Sequence, residues 1–395
     1  MRTWLLALVG WPLVVVTACS AHHAPEASDA SGDGQADAAL PAPIEAADFP
    51  HALDKAFIRS LQTWLDDGTF ATKWQDMMTS PIAMFGGADS AFHADLATRA
   101  EALPGGEVLC HGDPKLDNFG WIEAAGQFSD GDFDDGGYCP AAADIVRFLV
   151  ATDLWFDDPA LDEAALSAYI DTVASPSAAI VIDPATAPVW DTLRTDGVDH
   201  ATSHHLFKLG GNVQAASSDE IAAITQLVAS DPRFATGLED VARDVRTTGG
   251  SAGLRRYWLL LADATHPETI VELKELIAPG TELGPHSATL DGPDRFDVLK
   301  PYWWGAAVPN DEFSVELFGA RFLARDKLAR TSPDPTQMSA AQLENMLLAE
   351  ASLLALRDSG AWTGVDPSAL RAWLRASAAT VMARWRAAYA AAGGA

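Results

Sequence analysis

After a weakly basic Met1-Arg2, the chain opens on an apolar run from Trp4 to Val16. That run is too short to span a bilayer comfortably and has the make-up of a secretory h-region, which predicts a signal peptide over 1–18. From Ser20 to about Asp48 the hydropathy collapses, with Ala, Asp, Pro, Ser and Gly in place of large apolar side chains. Such a stretch cannot bury enough surface to offset its ordering entropy, so residues 19–48 are expected to be a disordered tether. Periodic patterning begins after it. Between Phe49 and Leu65, Leu53, Phe57, Leu61, Trp64 and Leu65 share one helical face, and Ala88 to Leu103 repeats the spacing. Short apolar runs read as strands at Glu107–Cys110 and Gln127–Ser129, and Asp144 to Val150 opens a long apolar helix. Asp153 to Ala242 reads as helical with Pro-rich interruptions. Arg256–Leu261 and Thr269–Lys274 read as two strands joined by a polar turn, and the Ala- and Leu-rich part from Gln337 onward as helix. The pattern gives an α+β class and one continuous globular region over 49–395.

Composition narrows the partners. The chain carries 55 acidic against 26 basic residues, a formal charge of −29, spread along its length rather than gathered in a tail. Such a surface is repelled by nucleic acid and by anionic lipid, so no nucleic-acid partner is expected. Of three Cys, Cys19 follows Val16-Thr17-Ala18. That arrangement resembles a bacterial lipobox, which implies an acyl anchor on Cys19 and a lipid membrane as partner. Ser20 behind it favours the outer membrane, facing the periplasm, in a Gram-negative envelope. The competing reading is an ordinary signal peptide with Cys19 incidental. No C-x-x-C occurs, so a zinc ribbon or thioredoxin motif is excluded.

The densest chemistry lies in His111-Gly112-Asp113-Pro114-Lys115-Leu116-Asp117-Asn118, followed by Asp130-Gly131-Asp132-Phe133-Asp134-Asp135. An acid and an amide five residues apart on a loop between strands, with a second acid on the next turn, suit phosphoryl transfer, which asks mainly for positioning and charge neutralisation. The spacing resembles the signature of kinase-like phosphotransferases, and Asp144-Ile145-Val146-Arg147 resembles a helix start in aminoglycoside-phosphotransferase-like kinases. That resemblance implies a protein-kinase-like two-lobe fold, with Asp113 as catalytic base, Asn118 and Asp132 as magnesium ligands, and ATP or another phosphate donor.

The chain is more closely similar to the bacterial family catalogued as domain of unknown function 2252, from about residue 50 to 330. Ser80-Pro81-Ile82-Ala83-Met84-Phe85-Gly86-Gly87, Gly249-Gly250-Ser251-Ala252-Gly253 and Glu272-Leu273-Lys274-Glu275 carry that likeness. It departs at Gly86, where the family has Arg, at Thr247-Thr248, and near Ala355-Leu356-Arg357, where a family His is missing. The Gly turn, with Gly249, Gly250, Ser251 and Gly253, would cradle phosphates, and Lys274 would pair with them from its strand. In ordinary kinases these parts precede the catalytic loop. Here they follow it, so either the fold is circularly permuted or the nucleotide lobe lies around Lys73 and Phe85-Gly86-Gly87. In a kinase-like fold Cys110 and Cys139 would be neighbours, either disulfide-bonded or two free buried thiols.

Three functions compete. One is a lipid-anchored, magnesium-dependent phosphotransferase acting on a hydroxyl of a small molecule or protein. Another is an inactive kinase-like binding or scaffolding lipoprotein. The last is a calcium-binding envelope protein using Asp130, Asp132 and Asp134, although Asp135 stands where a calcium loop needs Gly and Ala141 where it needs Glu. Two lesser constellations are His200 with His204 and His205, which on a helix make a solvated face before a metal pair, and Pro301-Tyr302-Trp303-Trp304, a stacking platform, exposed rim or core.

Overall fold

The computed structural model describes residues 39–99, 103–122, 127–132, 134–180, 182, 206–234, 237–262, 269–290, 295–305, 312–326, 330–331 and 338–394. The signal-peptide and lipidation expectations, Cys19 included, and His200, His204 and His205 lie outside these residues. The expected tether does not extend to 48. Ile44 is buried and its amide bonds Ser377 Oγ at 3.0 Å, so the packed body already includes residues ahead of Phe49.

Four short helices come first: α1 Lys55–Leu61, α2 Asp67–Met77, α3 Pro81–Gly87 and α4 Asp89–Leu96. The single helix read over 49–65 is therefore confined to α1. Asp54 caps its start and Asp66 caps the next helix, so the chain breaks where a carboxylate takes over the first free amides. The helix read from Ala88 likewise ends at Leu96 in a 3-10 turn. Four strands follow in two small sheets: β1 Glu107–Cys110, β2 Phe119–Ile122, β3 Gln127–Asp130 and β4 Gly137–Pro140, with β1 on β4 and β2 on β3.

Helices α5 Ala141–Phe156 and α6 Pro159–Ala174 come next. The stretch read as helical to Ala242 holds α7 Ser218–Ser230, but also strands β5 Val213–Ala215 and β6 Gly237–Asp244. These join β7 Arg256–Ala262, β8 Thr269–Glu275, β9 Glu312–Leu317 and β10 Ala320–Asp326 in one six-stranded sheet of order β5-β6-β7-β8-β10-β9. All its printed pairings are antiparallel. Helix α8 Arg295–Trp304 precedes β9, and β11 Arg330–Thr331 returns to pair with β2. Helices α9 Ala340–Asp358 and α10 Pro367–Ala391 close the chain, each announced by its cap: Ser339 with Gln342, and Asp366 with Pro367.

The helices share one large core, centred on fully buried Phe85, Phe92, Phe148, Tyr169 and Trp385. The six-stranded sheet has its own clusters. Val271, Leu273, Tyr257 and Phe322 pack with Ile224 of α7 on one face. Ile270, Leu260, Trp258 and Phe207 form a smaller patch on the other. Strand alternation sends Glu272 and Lys274 to the face opposite Val271 and Leu273. That placement sets up the site. Among the described residues no helix is long and apolar enough to cross a membrane.

Candidate functional site

The loop after β1 is fixed from three sides. A disulfide joins Cys110 to Cys139, Cα atoms 5.8 Å apart, so the bonded alternative holds and the loop is tied to the strand leaving the acidic turn. Asp144, in the first turn of α5, accepts the His111 amide at 2.6 Å and the Gly112 amide at 3.0 Å. His93 Nε2 meets the Gly112 carbonyl at 2.7 Å. Gly112 takes φ +88°, and a Cβ there would sit 2.1 Å from the Asp135 carbonyl oxygen, so only glycine lets the loop cross the acidic turn this closely. Two buried histidines carry opposite states. Burial opposes a charged His111, but Asp130, 2.7 Å from its Nε2, outweighs that and pushes it up to about 9. Burial, with Arg147 nearby, pulls His93 down to about 4.

Asp113 is bonded through both carboxylate oxygens. Arg147 Nε donates to its Oδ1 at 2.9 Å, and a second guanidinium nitrogen bonds the same oxygen. Lys115 Nζ lies 2.7 Å and Asn118 Nδ2 3.1 Å from its Oδ2. Burial favours the neutral acid, but Arg147 and Lys115 prevail and hold Asp113 well below the usual carboxylate range. Asn118 also bonds the Asp113 carbonyl at 2.7 Å, which fixes acid and amide as one unit.

The acidic turn meets the sheet through Lys274 of β8. Its Nζ is 2.6 Å from Asp134 and 3.7 Å from Asp132, while Arg325 of β10 bonds Asp132 at 2.9 Å. Burial works against ionised Asp132, but Lys274 and Arg325 keep it ionised well below the ordinary range. Burial and the charge on Asp132 push Asp134 up to about 7; burial, Asp89 and Asp113 do the same to Asp135. Asp130, first of the alternating acids, is turned inward onto His111 and accepts the Asp132 amide at 3.0 Å.

The Gly turn connects β6 and β7. Lys73 of α2 donates to the Gly250 carbonyl at 2.9 Å, and Asp76, one turn on, accepts the Gly249 amide at 3.1 Å. Gly86 lies against the same turn, its carbonyl 3.5 Å from where a Cβ on Gly250 would stand. The Lys73–Gly86 region and the Gly turn, read from the sequence as alternatives, thus lie against each other. Burial lowers Lys73 to about 8 against the pull of Asp89 and Asp135. Gly253 departs from its expected role. It backs onto Leu65 and Thr69, where a Cβ would lie 2.4 Å from Leu65 Cδ2, and it does not line the cavity.

A cavity of about 710 Å³ gathers Asp113, Asn118, Asp132, Lys274, Gly249, Gly250 and Ser251 on its walls. Strand β8, the loop after β1, the acidic turn, the Gly turn and helices α1 to α5 all contribute to it, so tertiary packing alone brings these positions together. Trp303 and Trp304 are instead core side chains; the Trp304 indole donates to the Asp130 carbonyl at 2.7 Å. Asn118 and Asp132 offer oxygen donors of the kind a hard divalent cation takes, beside acids that burial and neighbouring negative charge raise towards neutrality. Among the described residues the only trio of His, Cys, Asp or Glu donors within 4.8 Å of one another is Cys110, Cys139 and Asp144, two of them spent in the disulfide.

Sequence reasoning passed over Lys115, Arg325, Glu272 and Asp76. Lys115 was legible from its place two residues after Asp113. Arg325 and Glu272 were not, because on their strands they look like ordinary exposed alternation.

A family model described as "Uncharacterized protein conserved in bacteria (DUF2252)" matches residues 65–180. The matched stretch holds Lys73, Asp113, Asn118, Asp132 and Arg147, and stops short of the Gly turn and Lys274. No curated protein and no solved structure matches the chain.

Proposed function

We propose that this chain is an envelope protein, anchored through an acyl group on Cys19, whose cavity is a kinase-like phosphotransferase site. The observation that carries the reading is the meeting of Asp113, Asn118, Asp132, Lys274 and the Gly249–Ser251 backbone in one cavity from distant parts of the chain. Support for a permuted kinase-like arrangement comes from the order inside the sheet. A hairpin bearing a Gly turn is followed by a neighbouring strand bearing the lysine, as the resemblance requires, although both come after the loop of Asp113.

In this reading Asn118 and Asp132 hold magnesium, which screens the phosphates when bound. Lys274 and the Gly250 and Ser251 amides, which have no hydrogen-bond partner among the described residues, face the phosphoryl group. The acceptor hydroxyl lies against Asp113. Its oxygen forms the new bond to phosphorus, the bond to the donor's bridging oxygen breaks, and the proton passes to an Asp113 oxygen. So acidic a carboxyl orients the hydroxyl and takes its proton late rather than abstracting it beforehand.

A second reading, a binding lipoprotein without turnover, is favoured by the saturation of Asp113. Arg147, Lys115 and Asn118 already occupy both its oxygens. Calorimetry of ATP binding with magnesium, with calcium and with neither separates the cases, using Asp132→Ala as control. Magnesium-dependent binding lost in the variant supports the phosphotransferase site. Absence of nucleotide binding under every condition sinks it, and binding without transfer to any hydroxyl acceptor leaves the second reading.

A further inference from the structure

The face of the sheet that carries Lys274 also carries a row of charges beside its small apolar patch. Asp244 of β6, Arg256 of β7, Glu272 of β8, Arg325 of β10 and Glu312 of β9 are all buried or nearly so and alternate in sign across five strands. Buried charge of this kind is seldom a gain in stability over apolar packing, so it calls for another role. The bonds trace a path. Arg256 donates to Ser251 Oγ at 2.6 Å, and its other terminal nitrogen to Glu272 at 2.9 Å. Glu272 accepts Arg325 Nε at 2.8 Å, and Arg325 reaches on to Asp132 at 2.9 Å. One end of the path is the Gly turn and the other the acid assigned to the cation.

We infer that Arg256, Glu272 and Arg325 form a positioning relay that holds Ser251 and Asp132 in one arrangement, so that the phosphate cradle and the cation ligand are set together. The relay is geometric. At two nodes a rigid planar guanidinium bonds two partners in fixed directions from separate nitrogens, whereas a lysine offers one point charge on a flexible stem. Its value for nucleotide binding rests on the function proposed above; the mechanical coupling does not.

Two measurements separate these. Amide hydrogen exchange of Gly249 and Ala252, the two turn amides that are hydrogen-bonded (to Asp76 and to the Gly249 carbonyl), is compared in wild type, Arg325→Gln and Arg325→Lys. The variants change a side chain that does not touch the turn. The relay predicts exchange there about tenfold faster in both, with β7 and β8 amides still protected. Arg325→Lys, which keeps the charge without the fork, guards against a variant that merely misfolds. Unchanged turn exchange in a folded Arg325→Lys protein overturns the relay. In parallel, magnesium-ATP affinity is measured for Ser251→Ala, Arg325→Lys and the pair. Coupled sites give a double variant no weaker than Arg325→Lys alone, whereas independent sites multiply their losses and overturn the coupling. If wild type binds no nucleotide while turn exchange responds, the relay stands and the phosphate-donor reading falls.

Discussion

Arg147→Met tests how the site is held. The guanidinium is fully buried, bonds Asp113 through two nitrogens, and lies over Phe85 and Phe92 with its carbon 4.4 and 5.1 Å from the ring centroids. Removing one partner of a buried ion pair costs roughly 3–5 kcal/mol, because the other charge stays behind. Asp113 keeps Lys115 and Asn118, which places the loss at the lower end, about 3 kcal/mol. Methionine retains the volume and the contact with both rings, so little packing loss is added. The pH dependence gives a second check. Asp113 has a folded pKa depressed below its unfolded value of about 3.9, so its stabilisation is complete above that pH and fades only as pH falls through the folded value. The gap between wild type and variant should be flat from about pH 5 to 7 and narrow in stronger acid. Urea unfolding followed by tryptophan fluorescence measures it. A neutral-pH difference under about 0.5 kcal/mol, or a gap that widens on acidification, would refute the account of Asp113.

Replacing Cys110 and Cys139 by Ser opens a loop of sequence separation 29, and urea unfolding should show a loss of about 3–4 kcal/mol. His111 has a folded pKa raised to about 9, so the stability it contributes is full below about pH 6.5 and lost as pH rises through 9. Unfolding free energy in wild type should therefore decline over that window more steeply than in His111→Gln; an equal slope in both proteins would count against a charged His111. Two glycines with similar φ should part company. Gly112→Ala meets the Asp135 backbone and should cost roughly 3 kcal/mol or more, while Gly249→Ala meets nothing within 4 Å and should cost only about 1 kcal/mol, both read from thermal unfolding.

Local signals in the sequence were sufficient for much of the frame. Glu107–Cys110 is strand as read, because four residues between a Gly pair and a polar loop have little else to do. The pair Arg256–Leu261 and Thr269–Lys274 is an antiparallel hairpin of the sheet, and the later helices begin at caps visible as Ser-x-x-Gln and Asp-Pro. Where the reading failed, at 49–65 and at β5 and β6, periodicity was outvoted by side-chain caps or by edge pairing that no local window contains. The chemistry divides in the same way. Asp113, Lys115 and Asn118 stand close enough in sequence for their spacing to name them. The meeting of Asp132 with Lys274 and Arg325, and of Gly249 and Gly250 with Asp76 and Lys73, spans more than a hundred residues each time. Only tertiary packing makes those pairs, because charge and hydrogen bonding act across ångströms of space and leave no period along the chain.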